Sequence, residues 1–222
     1  VWDTNSFFQG SFVKEVNDQF KTQVNAKYAF YRTHYVNNDD KLIEVDNLYK
    51  QREVYVSTAN MYTIFPFWDV SMSYDFQWNE MKADMYGFVF PTRFTNLLSI
   101  ATALRLGKVK LQGSGLATFV NDRVKEGPAP KARQILTPAV FLSYKPFDKH
   151  DFSLRAFYKK TFRMPTFNDL YYADMGNSKL DPEYVTQYNL GTVYQKQWGN
   201  KLFRHFKIQA DGYYNCLLYT SD

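Results

Sequence analysis

The sequence predicts an all-β protein: an antiparallel β-barrel of the transmembrane kind, present in part, with about nine strands. Three observations predict it. Apolar and polar residues alternate with a period of two over stretches of about 12 to 16 residues, where strands of soluble proteins usually run about 5 or 6. Long and short connections alternate along the chain, as the extracellular loops and periplasmic turns of a membrane barrel do. Finally, 18 Tyr, 20 Phe and 4 Trp make up 19% of the 222 residues, a load that two interfacial aromatic girdles explain.

Taken in order, the first strand is "FKTQVNAKYAFYRTHY", where Phe20, Val24, Ala26, Tyr28 and Phe30 oppose Lys21, Gln23, Asn25 and Lys27. A second strand, at 48–62, alternates less cleanly. The clearest follows. In "WDVSMSYDFQWN" the even positions are Trp68, Val70, Met72, Tyr74, Phe76 and Trp78, and the odd ones are Asp69, Ser71, Ser73, Asp75, Gln77 and Asn79. A helix cannot use twelve residues of strict alternation; a sheet with one apolar and one polar face can. Strands at 93–105 and 109–120 come next. Another, at 133–144, is interrupted by Pro138, a residue that ladders tolerate poorly. "DFSLRAFYKKTF" sets Phe152, Leu154, Ala156 and Tyr158 against Ser153, Arg155 and Lys159, with Phe157 out of phase. Strands at 184–195 and 201–214 complete the nine, and no helix is expected.

The connections between them run long (36–47), short ("TIFPF"), long (80–92), short ("LGK"), long (121–132), short ("KPFDKH"), long (164–183) and short ("KQWGNK"). Aromatics gather near strand ends, at Tyr62, Phe65, Phe67, Trp68, Trp78, Phe88, Phe90, Tyr144, Phe147, Tyr194 and Trp198. A soluble all-β protein alternates too, but has no reason to keep one end trimmed and the other elaborated. Nine is an odd number, and bacterial single-chain barrels have even counts. The expectation is therefore a piece of a larger barrel.

Other function classes find little support. No run of about 18 apolar residues offers a membrane-spanning helix, and the chain starts at Val1 without a visible targeting signal. The lone Cys216 forms no intramolecular disulfide and fits no zinc spacing. Lys41, Lys131 and the other basic residues give a formal charge of +5 but are scattered, which suits solubility or anionic headgroups and not a nucleic-acid partner. His34, His150 and His205 lack ligand spacing, and no nucleophile elbow or His-Glu-x-x-His is present. Neither an enzyme, a resident cofactor nor a metal site is expected.

The segment "TFRMPTFNDLYYADMGNSKLDPEYVTQYNLGTVYQ" breaks the alternation. Arg163, Pro165, Thr166, Phe167, Asp169, Leu170 and Tyr171 are followed by Gly176, Asn177, Leu180, Pro182, Glu183 and Gly191. In order and spacing this resembles the TonB-dependent outer-membrane receptors, in the branch for cobalamin and ferric siderophores. "FPFWDVSMSYDFQWN" and "LTPAVFLSYKPF" resemble barrel strands of the same branch. The resemblance implies a barrel of roughly 22 strands with a plugged lumen, of which residues 1–215 are a C-terminal part without the plug domain. It also implies the outer membrane of a Gram-negative bacterium, contact with lipid and lipopolysaccharide, and a small-molecule metal chelate as ligand. Energy would come from the TonB complex through an N-terminal region that this sequence lacks. After "DGYYN" the family's polar stretch is replaced by "CLLYTSD", so residues 216–222 are expected to be a non-native tail. A passive porin remains the alternative, sharing the strands and loops but not the motif.

Parity gives the motif a physical reading. Arg163 shares the phase of Ser153, Arg155 and Lys159, and Glu183 that of Gln187 and Asn189, so both are expected to face the lumen and close the base of the loop. Sheltered there, the pair is expected to outweigh an exposed bridge, worth about 0–1 kcal/mol. Pro165 and Pro182 end the ladders, and Gly176-Asn177 supplies a turn through positive φ. Within the loop, Phe167, Tyr171, Tyr172 and Asp174 are the candidate ligand contacts, since aromatic rings offer a flat apolar face with a polar edge.

Overall fold

The computed structural model describes residues 1–37, 45–127, 129–171, 177, 179–197 and 205–218. They form one antiparallel sheet of ten strands in chain order: β1 (Trp2–Glu15), β2 (Phe20–Asn37), β3 (Val45–Phe65), β4 (Trp68–Ala83), β5 (Thr92–Leu106), β6 (Val109–Arg123), β7 (Arg133–Tyr144), β8 (Asp151–Arg163), β9 (Glu183–Gln197) and β10 (His205–Leu218). Strand lengths run from 12 to 21 residues, enough to cross a hydrocarbon layer that needs about 9 to 11 tilted residues.

Ten strands replace the nine expected. The strand missed is β1, whose alternation is diluted: Thr4, Ser6 and Gly10 sit on its apolar side, and Phe7 and Val13 on its polar side. The argument from an odd count therefore falls. What marks the sheet as part of a barrel is that it stays open, with β1 and β10 each paired on one side only. The new strand also extends the alternation of connections, because 16–19 is a four-residue turn before the residues 38–44 that separate β2 from β3. Two turns have only two residues, Pro66-Phe67 and Gly107-Lys108; at the second, Leu106 pairs with Val109 and Gly107 takes φ 56°, a conformation glycine adopts without strain.

Register places each residue on one of two faces. Asn25, Ser57, Asp75, Leu97, Thr118 and Ile135 form one cross-strand row on the first face; Ala26, Val56, Phe76 and Asn96 form a row on the other. The first face carries most of the charged and amide side chains and is the luminal one. It is not wholly polar: Phe157, out of phase in the sequence, pairs with Phe141 there, ring centroids 5.5 Å apart. The outer face is a continuous apolar surface, with Met72, Ile100, Leu136, Leu190 and Ile208 each more than half exposed. Such an area signals a membrane-facing surface.

The aromatic ends divide into two kinds. Phe65, Phe67 and Trp68 stack at the β3–β4 turn, and Phe147 meets Phe152 at the β7–β8 turn, as an interfacial girdle would. Phe88 and Phe90 were expected in the girdle but pack elsewhere. They join Tyr49, Met81, Phe167 and Tyr171 in a buried cluster beneath the loops. Phe90 has φ 47°, the one positive value of a non-glycine residue among the described residues. Trp198 lies outside them.

Pro138 is accommodated by a split. The β6–β7 ladder runs up to Arg133, but the β7–β8 ladder stops at Ala139–Lys159, next to the residue without an N–H. Beyond the split, Arg133 of β7 and Asp181 of the returning loop form an ion pair. At the other end β10 continues past residue 215, pairing Cys216 with Thr186 and Leu218 with Tyr184.

Candidate ligand-binding site

The loop between β8 and β9 opens with a short helix, α1 (Phe167–Tyr171), where no helix was expected. Its start is specified locally. The Thr166 hydroxyl accepts from the Asp169 N–H at 3.2 Å, and the Asp169 carboxylate accepts from the Thr166 N–H at 2.8 Å. This reciprocal pair is a capping box, satisfying two donors that a helix start leaves open. Pro165 precedes it with its ring buried. The Asp169 carboxyl is held below the usual carboxylate range, first by the Thr166 backbone N–H, then by the Thr166 side chain and the Arg163 charge, with burial opposing.

Arg163 and Glu183 are register partners on the luminal face, with Nη1 to Oε2 at 3.8 Å, and Arg163 also reaches Asp169 at 3.5 Å. The expected proximity is found. The expected shelter is not: their side chains are 65% and 42% exposed. The pair closes the loop base in open solvent, because no strand or loop of the described chain covers that part of the sheet, and it carries the modest weight of a surface bridge.

The buried fastening is elsewhere. Arg93, at the start of β5, binds Asp122 of β6 through two bonds of 2.7 Å, with side chains 11% and 4% exposed. Its remaining nitrogen, Nη1, donates to the Pro165 carbonyl at 2.7 Å, and its guanidinium lies 5.1 Å from the Phe167 ring centroid. One side chain thus joins the barrel wall to the loop through an ion pair, a hydrogen bond and a cation–π contact. A readable signal existed. Arg93 and Asp122 are placed symmetrically about Gly107-Lys108, so a two-residue hairpin there puts opposite charges face to face.

Beneath α1 the luminal face holds a cavity of about 500 Å³, lined by Gln51, Glu53, Gln77, Asn79, Arg93, Thr95, Thr118 and Phe167 among others. It lies at the long-loop end of β3 to β6. Amides and hydroxyls line it together with the apolar side chains of Leu97, Val120, Phe162 and Met164. Glu53 is bound to Lys27 at 2.9 Å, and the buried Thr118 hydroxyl has no hydrogen-bond partner among the described residues. Such a lining presents donors and acceptors beside an apolar wall, suited to a ligand with both polar and apolar surface.

The predicted ligand contacts therefore separate. Phe167 is 7% exposed, packed in the cluster with Tyr49 and Phe88, yet it borders the cavity. Tyr171 is partly buried in the same cluster, its hydroxyl without a partner among the described residues. Burial, and then the Asp122 charge, pushes that hydroxyl's pKa up to about 12, against the Arg93 charge. Leu170 is buried. Tyr172, Asp174 and Gly176 lie outside the described residues. The Asn177 side-chain carbonyl accepts from the Lys179 N–H at 2.9 Å. Leu180 is exposed, while Pro182 is buried. Gly191 stands in register between Arg155 and Asp211, and a Cβ there would collide with the Asp211 carboxylate.

A family model described as "TonB dependent receptor-like, beta-barrel" matches residues 2–216. No curated protein sequence matches. Among solved structures, the copper transporter OprC is 14% identical at a TM-score of 0.70, covering 96% of this chain and 38% of its own. The FrpB iron transporter from Neisseria meningitidis (F5-1 variant, apoprotein) is 12% identical at 0.67, covering 98% and 42%. The unliganded ferric citrate transporter FecA is 12% identical at 0.62, covering 98% and 39%. At these identities the likeness is one of fold, and this chain spans less than half the length of each.

Proposed function

The chain belongs to the TonB-dependent receptor β-barrel family, and from that premise we propose that it forms the barrel wall of an outer-membrane importer for a scarce metal chelate, a ferric siderophore or cobalamin. The observation that carries this reading is the cavity of about 500 Å³, lined by both amides and apolar side chains, beneath a loop fastened to the wall by Arg93. A passive pore has no need of a walled recess with an orphan hydroxyl at the long-loop end. In the proposed mechanism the loop residues Phe167, Tyr171, Tyr172 and Asp174 and the wall amides Gln51, Gln77 and Asn79 take the ligand. A plug domain blocks the lumen below them, and the TonB complex supplies the energy to move it. The solved transporters for copper, iron and ferric citrate support a metal-containing cargo as the first class to try.

The test is uptake and binding by the full-length receptor. Its intrinsic tryptophan fluorescence is titrated with ferric catecholate, ferric hydroxamate, ferric citrate and cobalamin, and uptake of any binder is followed in cells with and without a protonophore. The expected result is saturable binding of one class and uptake that collapses with the proton gradient. Uptake that rises linearly with concentration and ignores the protonophore would favour the passive pore instead. Tyr171→Phe separates two roles: tighter loop packing with unchanged affinity assigns the hydroxyl to the loop, whereas lost affinity assigns it to the ligand.

A further inference from the structure

The lining of the cavity beneath α1 holds only two charged side chains among the described residues, Glu53 and Arg93, and each is already neutralised. Glu53 accepts from the Lys27 ammonium at 2.9 Å, and that ammonium also reaches the Tyr31 hydroxyl at 3.3 Å. All three Arg93 nitrogens donate, two to Asp122 and one to the Pro165 carbonyl. Two further luminal cations, at the long-loop ends of their strands, face acids too. Arg133 pairs with Asp181, and Arg163 meets Glu183 at 3.8 Å and Asp169 at 3.5 Å.

An acid is left over. Asp75 of β4 is luminal and partly buried, in one row with Ser57, Leu97 and Thr118, and the last two of these line the cavity. Its carboxylate has no ion-pair or hydrogen-bond partner among the described residues. A luminal cation in the same condition, Lys110, stands beside the Gly107-Lys108 turn, at the other end of the sheet.

The polar groups that the cavity does leave free are uncharged. Gln51, Gln77 and Asn79 carry carboxamides without a hydrogen-bond partner among the described residues, and Asn79 is 8% exposed. Thr118, 2% exposed, adds its unpartnered hydroxyl. A carboxamide both donates and accepts, so it matches an amide or hydroxamate on a ligand. A polyanion brought here loses hydration, finds no free cation, and is repelled by Asp75.

We infer that this cavity sorts chelates by charge: it takes an uncharged metal chelate whose surface carries amide or hydroxamate groups, and Asp75 turns polyanionic chelates away. The inference rests on the proposed function for the identity of the site and narrows its cargo. Like charges set against each other are a general means of refusing a wrong partner.

The experiment titrates the full-length receptor with three probes: an uncharged ferric trihydroxamate, cyanocobalamin and a triply anionic ferric tricatecholate. The wild type is expected to bind one uncharged probe at least about tenfold tighter than the tricatecholate. Which of the two it is tells a hydroxamate cargo from a corrinoid. Asp75→Asn should narrow the gap about threefold and Asp75→Lys about tenfold, with uncharged-probe binding on the same samples showing that each variant is folded. Thr118→Val, which keeps the shape and removes the hydroxyl, should weaken the uncharged probe about fivefold. Equal or tighter binding of the tricatecholate by the wild type, or a gap that ignores both Asp75 variants, overturns the selection by charge. Unchanged affinity in Thr118→Val overturns the part given to the hydroxyl. Uptake separates this inference from the reading beneath it. A receptor that prefers the uncharged chelate but takes it up regardless of a protonophore keeps the selection and fails as an importer; protonophore-sensitive uptake led by the tricatecholate does the reverse.

Discussion

Gly191 explains itself through its neighbours. Arg155, Gly191 and Asp211 lie side by side on three strands, and the Asp211 carboxylate leans across the bare Cα to reach Arg155 at 3.4 Å, with Gln209 donating to its other oxygen at 2.6 Å. Any side chain at 191 occupies the carboxylate's place, so Gly191→Ala should cost about 1–3 kcal/mol. Adding Asp211→Ala should recover part of that loss, because the clash has gone; a double-mutant cycle in denaturant reads the coupling. Strictly additive losses would mean that Gly191 matters for another reason. Arg93 is the opposite case, a side chain whose removal strands a partner. Arg93→Ala leaves the Asp122 carboxylate buried and unpaired, and the expected loss is about 3–5 kcal/mol. The same change frees the Pro165 carbonyl, so limited proteolysis should cut within 164–182 faster than in the wild type, and Arg163→Ala, on the exposed pair, should barely change the rate.

At the scale of elements, α1 depends on its capping box. Thr166→Ala removes one half and should destabilise the turn by about 1 kcal/mol. Asp169 supplies the other half as a carboxylate, with a pKa lowered by the Thr166 backbone N–H above all. A group whose folded pKa is depressed adds stability that is complete above its unfolded value, about 4, and is lost as pH falls through the lower folded value. Amide exchange of Leu170 and Tyr171 should therefore be level above about pH 4 and speed up below it, after correction for intrinsic rates. Asp169→Asn should flatten that dependence. Elements were legible in the sequence wherever one face was uniformly apolar, as in β4, and illegible where both faces were mixed, as in β1. The loop's prolines were readable because they act locally; the Thr166–Asp169 capping box that starts α1 was not read, and no helix was expected there. The buried role of Phe88 and Phe90 was not readable, since it depends on where α1 docks. The Arg93 latch lay in between: its register followed from a two-residue turn, but its third contact, with Pro165 some seventy residues away, followed only from the closed loop.

For the molecule as a whole, the two faces divide the charges. Glu53, Asp69, Asp122 and Asp211 are luminal and each meets a cation, Lys27, Arg105, Arg93 and Arg155 respectively. The outer face carries no charge over the middle of its strands; there Val70, Met72, Leu98, Ile100, Leu190 and Ile208 prevail. Luminal side chains can be solvated or paired, while outer ones meet hydrocarbon, where a charge has neither water nor partner. Adjacent residues of one strand should consequently answer the same substitution very differently. Ser99 and Ile100 sit near the middle of β5, facing lumen and lipid respectively. In the full-length receptor refolded into lipid vesicles, Ile100→Lys should cost about 2–4 kcal/mol, whereas Ser99→Lys, with the luminal Ser73 and Leu116 as its register partners, should cost under about 1 kcal/mol. In detergent, whose headgroups and water reach the side chain more readily, the Ile100→Lys penalty should shrink. Equal penalties at the two positions would mean that the outer face does not meet hydrocarbon.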